Sequence, residues 1–218
     1  MKINNYLVLL IAAISILSCN KKDDFNYPDG TVGISKITYF PIVTLNGAAY
    51  IIVAKGATYT DQGVTAKAGG QDVPVTIAGS VDVSTPGVYT LTYTAKNSDG
   101  FSASVSRTVV VYLTDASASS NDFSGDYARS TNGQIASWTK LAPGVYKVVN
   151  PGGAVGATLT VIAINPTGFQ IKIPDQISSD GNTTFSSNES YSAGPPPTYM
   201  WKINNPGYGP SIRTFTKI

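Results

Sequence analysis

The chain has 218 residues, of which 42% are hydrophobic and 13% charged, with a formal net charge of +2, one Cys and no His. That balance excludes a coiled coil, a collagen and a long acidic or basic tail, and the missing His removes Ser-His-Asp and Cys-His nucleophile sites, His-ligated metals and imidazole acid-base steps. Glu189 is the single Glu, so the paired glutamates common in sugar-cleaving sites cannot be built; no catalytic residue, no metal site and no cofactor is expected.

Lys2 supplies a positive start, Tyr6 to Leu17 an apolar run, and Ile16-Leu17-Ser18-Cys19 closes it, as in a signal peptide. The run falls short of the about 20 apolar residues that a spanning helix needs. The tetrad ending at Cys19 resembles the lipobox of bacterial lipoproteins. That resemblance implies a signal peptide over residues 1–18, cleavage before Cys19 and lipidation of its thiol, with palmitate among the acyl chains. Residues 19–30 have turn chemistry and no period, which predicts a flexible tether. Its Lys21-Lys22-Asp23-Asp24 stretch resembles the export signal of Bacteroidota lipoproteins, implying an anchor in the outer membrane facing the cell exterior. Removing residues 1–18 takes away Lys2 and no acid, so the mature chain is nearly neutral. Lys21-Lys22 is the one adjacent basic pair, which leaves no phosphate-tracking patch, and nucleic acid is excluded as a partner. Lipidation consumes the single thiol, so each domain must be stable without a disulfide.

Residues 31–113 read as short strands. From Gly87 to Lys96, Tyr89, Leu91, Tyr93 and Ala95 alternate with Val88, Thr90, Thr92 and Thr94; after Asn97-Ser98-Asp99-Gly100, Phe101 to Leu113 returns with Ala103, Val105, Val109 and Val111 on a common face. This is a hairpin with one core face. Arg107 interrupts that face, and a buried guanidinium needs a strand end or an acid such as Asp61 or Asp82. Earlier strands are expected at 34–45, 49–53, 64–68 and 73–77. Gly56 to Ala66, Pro86 to Ala95 and Asn97 to Gly100 together resemble the bacterial immunoglobulin-like domains repeated in surface proteins and lipoproteins. The resemblance implies a β-sandwich serving as spacer or docking module.

Residues 114–122 contain no large apolar side chain and read as an unordered linker. Beyond it, residues 123–218 are again β-rich, with strands expected at 144–149, 157–164, 168–173 and 198–203 and no helix. The fold class is therefore all-β: an N-terminal immunoglobulin-like β-sandwich plus a second antiparallel β-sandwich or small barrel domain. Phe123 to Tyr127, Tyr199-Met200-Trp201 and Gly207 to Pro210 ahead of Arg213-Thr214-Phe215 resemble the C-terminal β domains of lipoproteins associated with glycan uptake, which implies a carbohydrate context.

Sugar sites use flat aromatic faces with amides and carboxylates around them, so Trp138, Tyr191, Tyr208 and Trp201 are the candidate ligand-binding residues. Trp201 lies in an alternating strand, where core packing competes with a binding role. The stretch from Ser186 to Pro197, which holds Tyr191 and three consecutive prolines, reads as a long irregular loop. Asp122, Asp126, Asp175 and Asp180 read as turn caps, not as a calcium loop. The expected function is a lipid-anchored, non-catalytic surface protein whose second domain binds polysaccharide or a neighbouring uptake protein. The alternative is a purely structural or adhesive role through protein-protein contact.

Overall fold

In the computed structural model, residues 29–32 and 35–218 are described; Cys19 and the expected signal peptide lie outside the described residues. The chain divides into two compact units, residues 1–39 and 40–218. In the first, β1 (Thr31–Val32) pairs antiparallel with β2 (Ser35–Lys36).

In the second unit, two sheets form the immunoglobulin-like sandwich. One holds β3 (Ile42–Leu45), β5 (Val64–Ala68) and β6 (Gln71–Asp72); the other holds β4 (Tyr50–Ala54), β9 (Ser102–Tyr112), β8 (Gly87–Lys96) and β7 (Val75–Ala78), in that order. The expected β8–β9 hairpin is present in unbroken register from Gly87↔Val111 to Lys96↔Ser102. The single strand expected over 34–45 is instead two, and Pro41, which has no N–H to give a ladder, lies just ahead of β3.

Arg107 sits in the middle of β9, fully buried, and fastens one sheet to the other. Its Nη1 pairs with Asp61, while Nε donates to Ala48 O at 3.2 Å and Nη2 to Asn46 O at 2.5 Å and Gly63 O at 3.3 Å. Tyr93 and Tyr59 hydroxyls also donate to Asp61, at 2.6 and 3.1 Å. Burial works to raise the Asp61 carboxyl, but the tyrosine hydroxyls, the Gly63 amide and Arg107 outweigh it and hold it below the ordinary carboxylate range. Burial, then the bond to Asp61, pushes Tyr93 up to about 12, so it stays a donor. Every strong donor of the guanidinium is thereby used, which is what a buried cation requires.

After β9 the segment expected to be unordered is held down. It contains the helix α1 (Ala116–Ser119), capped by Asp115, with Ala118 buried. Thr114 Oγ1 donates to Asn165 O at 2.9 Å, Asp115 N to Pro166 O at 3.0 Å, and Gly168 N to Ser117 Oγ at 2.7 Å. Hydrogen bonds to the next domain order it where apolar burial does not.

The last eight strands are β10 (Gly125–Arg129), β11 (Ile135–Ala142), β12 (Val145–Val149), β13 (Thr160–Ile164), β14 (Gln176–Ile177), β15 (Thr183–Ser192), β16 (Thr198–Asn204) and β17 (Ile212–Lys217). They form one antiparallel sheet in the order β13-β12-β11-β10-β17-β16-β15-β14, so each strand lies beside its sequence neighbour and the first pairs with the last. The result is a nearly closed up-and-down barrel, the second of the two architectures that the alternation of residues 123–218 allows. Where β13 and β14 should meet, the Gln176 amide takes the place of a strand: its Oε1 accepts from Ile162 N and its Nε2 donates to Ile162 O, both at 2.8 Å. Ser179 N donates to Thr160 O at 3.2 Å on one side, and Ile164 and Lys172 exchange backbone bonds on the other. Residues 168–173, expected as a strand, form no named strand beyond that bridge; Ile171 and Ile173 enter the core, and Ile173 O accepts from Ser186 N at 3.0 Å.

The sandwich and the barrel share an apolar contact in which Val110, Val145 and Ile162 are buried, with Ile52, Val88, Tyr112 and Leu141 packed around them. Val110 points away from the sandwich core, between the inward Val109 and Val111, and the barrel covers it. Lys147 of the barrel lies 5.9 Å over the Tyr50 ring.

Two outcomes test these fasteners. Asp61→Asn leaves Arg107 charged and buried, and chemical denaturation should show a loss of about 3 kcal/mol, the lower end of the cost of breaking a buried pair, because the carboxylate keeps 24% exposure. The wild-type contribution is present above the ordinary carboxylate pKa of about 4 and is lost as pH falls through the lowered folded value; the Asn variant should lack this acid-dependent loss. Gln176→Leu strips both partners from Ile162 and should cost about 1–3 kcal/mol, with faster hydrogen exchange at the Ile162 amide; unchanged exchange would show the seam closed by other bonds.

Candidate functional site

An eight-stranded barrel is just wide enough inside for side chains to fill, and here aromatics fill it. Trp138 on β11 and Trp201 on β16 lie on inward positions and stack with centroids 5.4 Å apart at 17°. Trp138 Nε1 donates to Tyr199 OH at 3.1 Å and Trp201 Nε1 to Pro151 O at 2.8 Å. Tyr199 stacks on Phe215 at 4.8 Å, and burial drives its phenol well above the ordinary range. The two tryptophans expected as ligand platforms are therefore core residues with no free face. Strand parity places them inside, and the indole N–H groups are satisfied there.

Tyr191 remains half-buried. The stretch expected as an irregular loop is mostly β15, which bulges between Ser187 and Ser190 with Asn188 at φ 56° and then presents Tyr191 opposite Tyr199. Tyr191 packs against Phe123 at 4.6 Å on one side and stacks on Phe169 at 5.6 Å and 22° on the other. Phe169 is 53% exposed. The two rings border a groove of about 380 Å³ that also holds Gln170, Lys172 and Glu189. Ser186 Oγ donates to Glu189 at 2.6 Å and steadies the carboxylate. An exposed ring beside an amide, an amine and a carboxylate is the chemistry a sugar needs.

Tyr208, also half-buried, lines a separate groove of about 440 Å³ with Phe185, Lys202 and Asn205. The two grooves share no residue, so Tyr191 and Tyr208 do not form one platform. Of the acids expected as turn caps, Asp122 accepts from Ser124 N at 2.9 Å and Asp180 from Asn182 N at 3.1 Å, whereas Asp126 lies within β10 and accepts from Ser137 Oγ across the ladder at 2.6 Å. Among the described residues no group of three His, Cys, Asp or Glu could hold a metal, and no helix is long and apolar enough to cross a membrane. The lipidation residue Cys19 lies outside the described residues. Sequence reasoning does not single out Phe169, Gln170, Lys172 or Glu189, because 168–173 reads as a strand; an aromatic directly after Asn165-Pro166-Thr167-Gly168 is the one sign of them.

The described part of the chain is thus an all-β protein in which an immunoglobulin-like sandwich is docked on an eight-stranded antiparallel barrel. Residues 43–111 match the family described as bacterial surface protein, Ig-like domain. No curated protein matches the chain. Among solved structures, the lipoprotein BT2262 from Bacteroides thetaiotaomicron is 25% identical over 82% of this chain and 100% of that one, with a TM-score of 0.39, a superposition too loose to transfer any feature.

With Trp138 in the core, Trp138→Ala should cost about 3–5 kcal/mol, the usual loss for emptying a large aromatic site, read as a fall in Tm. Any ligand affinity carried by the Phe169–Tyr191 groove should survive in the folded fraction.

Proposed function

We propose that this is a lipid-anchored, non-catalytic cell-surface protein. Its Ig-like domain acts as a spacer and its barrel presents a glycan-binding groove, in the setting of polysaccharide uptake at the exterior face of the outer membrane. The surface reading is supported by the family match over residues 43–111 and by the lipobox-like Ile16 to Cys19. The glycan reading is carried by one observation: Phe169, exposed and backed by Tyr191, beside Glu189, Gln170 and Lys172 in one groove. A sugar ring laid on Phe169 would lie in the groove that Glu189, Gln170 and Lys172 also line, where amide, amine and carboxylate can serve its hydroxyls. The rival structural or adhesive reading is favoured by the burial of both tryptophans.

Affinity electrophoresis of residues 20–218 through gels containing a broad panel of polysaccharides tests the reading. Retardation by at least one polysaccharide is expected, and Phe169→Ala should weaken it about tenfold, equivalent to about 1.4 kcal/mol, without lowering Tm. No retardation on any polysaccharide would leave the adhesive reading standing.

A further inference from the structure

Two arginines enter the barrel at one end, and neither is in the salt bridges Lys67–Asp72 and Arg107–Asp61. Arg213 on β17 lies two residues before the core residue Phe215, and Arg129 ends β10 two residues after the core residue Tyr127. The register sets Arg129 opposite Phe215 and Arg213 opposite Trp201, so both inward positions lie at the same mouth. Arg213 is 6% exposed; its Nη1 donates to Ser211 O at 2.8 Å, its Nη2 to Gly209 O at 3.3 Å, and the Tyr208 ring lies 5.2 Å from the guanidinium carbon. Arg129 is half-buried and its Nη1 donates to Gly153 O at 3.2 Å. The Nε atoms of both arginines are buried without a partner.

The loop around the pair is shaped to it. A Cβ on Gly152 would come 2.0 Å from Tyr208 Cε1, and one on Gly153, at φ +55°, 2.8 Å from Arg129 Cδ, so glycine alone lets the chain lie against both side chains. Asn150 pins that loop, donating to Ile135 O at 3.1 Å and Ala154 O at 3.0 Å. The loops at this mouth join β10 to β11, β12 to β13, β14 to β15 and β16 to β17, whereas the β11–β12 turn lies at the other end. The β14–β15 turn carries Asp180, whose carboxylate is taken up by Ser178, Asn182 and Asn205. The sandwich borders the rim at the β14–β15 turn, where Ser178, Ser179 and Gly181 line a cavity with Thr90, Thr92, Ser106 and Thr108. Arg129 and Arg213 lie on β10 and β17, in the middle of the strand order and away from the β13–β14 seam, and barrel mouths are places where ligands settle.

Burying a cation without a counter-charge is costly, and a second like charge beside it adds repulsion. Burial, with the charge of Arg129 as the next cause, lowers the Arg213 pKa from its ordinary value. A chain that tolerates this arrangement gains from it if an anion completes it, and a guanidinium fork matches the two oxygens of a carboxylate or sulfate. We propose that Arg129 and Arg213 form an oxyanion site at the barrel mouth that takes a carboxylate or sulfate group, and that the glycan bound by this protein is an acidic one. The second half rests on the glycan reading above; the first does not.

Calorimetry on the full-length protein in detergent tests both halves with three probes: inorganic sulfate against chloride at equal ionic strength, an oligogalacturonate, and a neutral oligosaccharide of equal length. Sulfate and oligogalacturonate should bind, and Arg129→Gln should weaken both at least about tenfold, as expected for losing one charge-assisted fork. Arg129→Lys, which keeps the charge and loses the fork, should restore little. Without ligand, Arg129→Gln should melt no lower than the wild type, because a like-charge repulsion is removed; this separates the site from a structural role and avoids the deeper Arg213. Sulfate acting no more strongly than chloride, or binding that ignores Arg129→Gln, overturns the site. Sulfate binding that is lost in Arg129→Gln while no sugar binds sustains the oxyanion site and removes the acidic glycan. Neutral sugar binding that ignores Arg129→Gln, with oligogalacturonate bound no more tightly, sustains the groove and removes the acidic glycan.

Discussion

Eight strands enclose a space sized for side chains, and the stacked pair Trp138–Trp201 with Tyr199, Tyr127 and Phe215 occupies it. A filled barrel cannot take a ligand inside, so recognition is confined to its rim and outer grooves. The same packing holds those rims in place: Trp201 reaches Pro151 in the loop that flanks Arg129, and Phe123, part of the same core, supports Tyr191. The aromatic interior is thus the platform on which every candidate surface feature is mounted, although none of its own rings faces solvent.

The second constraint is the contact between the domains. A spacer on a flexible linker would leave the barrel free to turn, but here Val110 and Ile162 are each apolar on a strand face that would otherwise be polar, and each is buried against the other domain. The hydrogen bonds that Thr114 and Asp115 donate to Asn165 and Pro166, and that Ser117 accepts from Gly168, close the joint from the side. Packing and hydrogen bonds therefore restrain sandwich and barrel against each other, and the groove at Phe169 lies on the same 165–172 segment that takes part in the joint. Rigidity of this kind lowers the ordering cost of binding.

Strand parity makes much of the sandwich legible in the amino-acid sequence: the alternation of β8 and β9, the inward Arg107 and its need of an acid follow from period two and the cost of an unpaired buried charge, while the choice of Asp61 over Asp82 is made by the fold. Parity also marks features whose meaning only the packing reveals. Val109-Val110-Val111 is a run buried on both faces and forms a docking surface, and Arg213-Thr214-Phe215 puts an arginine on a core-facing position. What sequence cannot supply is the side-chain seam at Gln176, since one amide standing in for a strand leaves no periodic trace, or the ordering of 114–122, which depends on carbonyls about 50 residues away. Trp138 and Trp201 are ambiguous in sequence because the same large flat ring serves a core or a sugar site; the closed barrel decides between them.

The three inward-facing arginines make the sharpest comparison in the molecule. Arg107 is enclosed by one carboxylate, two tyrosines close to that carboxylate and three backbone carbonyls, and its Nε is among the donors used. Arg129 and Arg213 receive carbonyls and a ring face, and each keeps an idle Nε. The chain can clearly build a complete shell around a guanidinium when the group's task is to hold two sheets together. At the barrel mouth it builds an incomplete one, around two charges at once and beside glycines that admit close approach. A stabilising device would be finished as Arg107 is finished; an arrangement whose missing element is an anion is the form a binding site takes when it waits for its ligand.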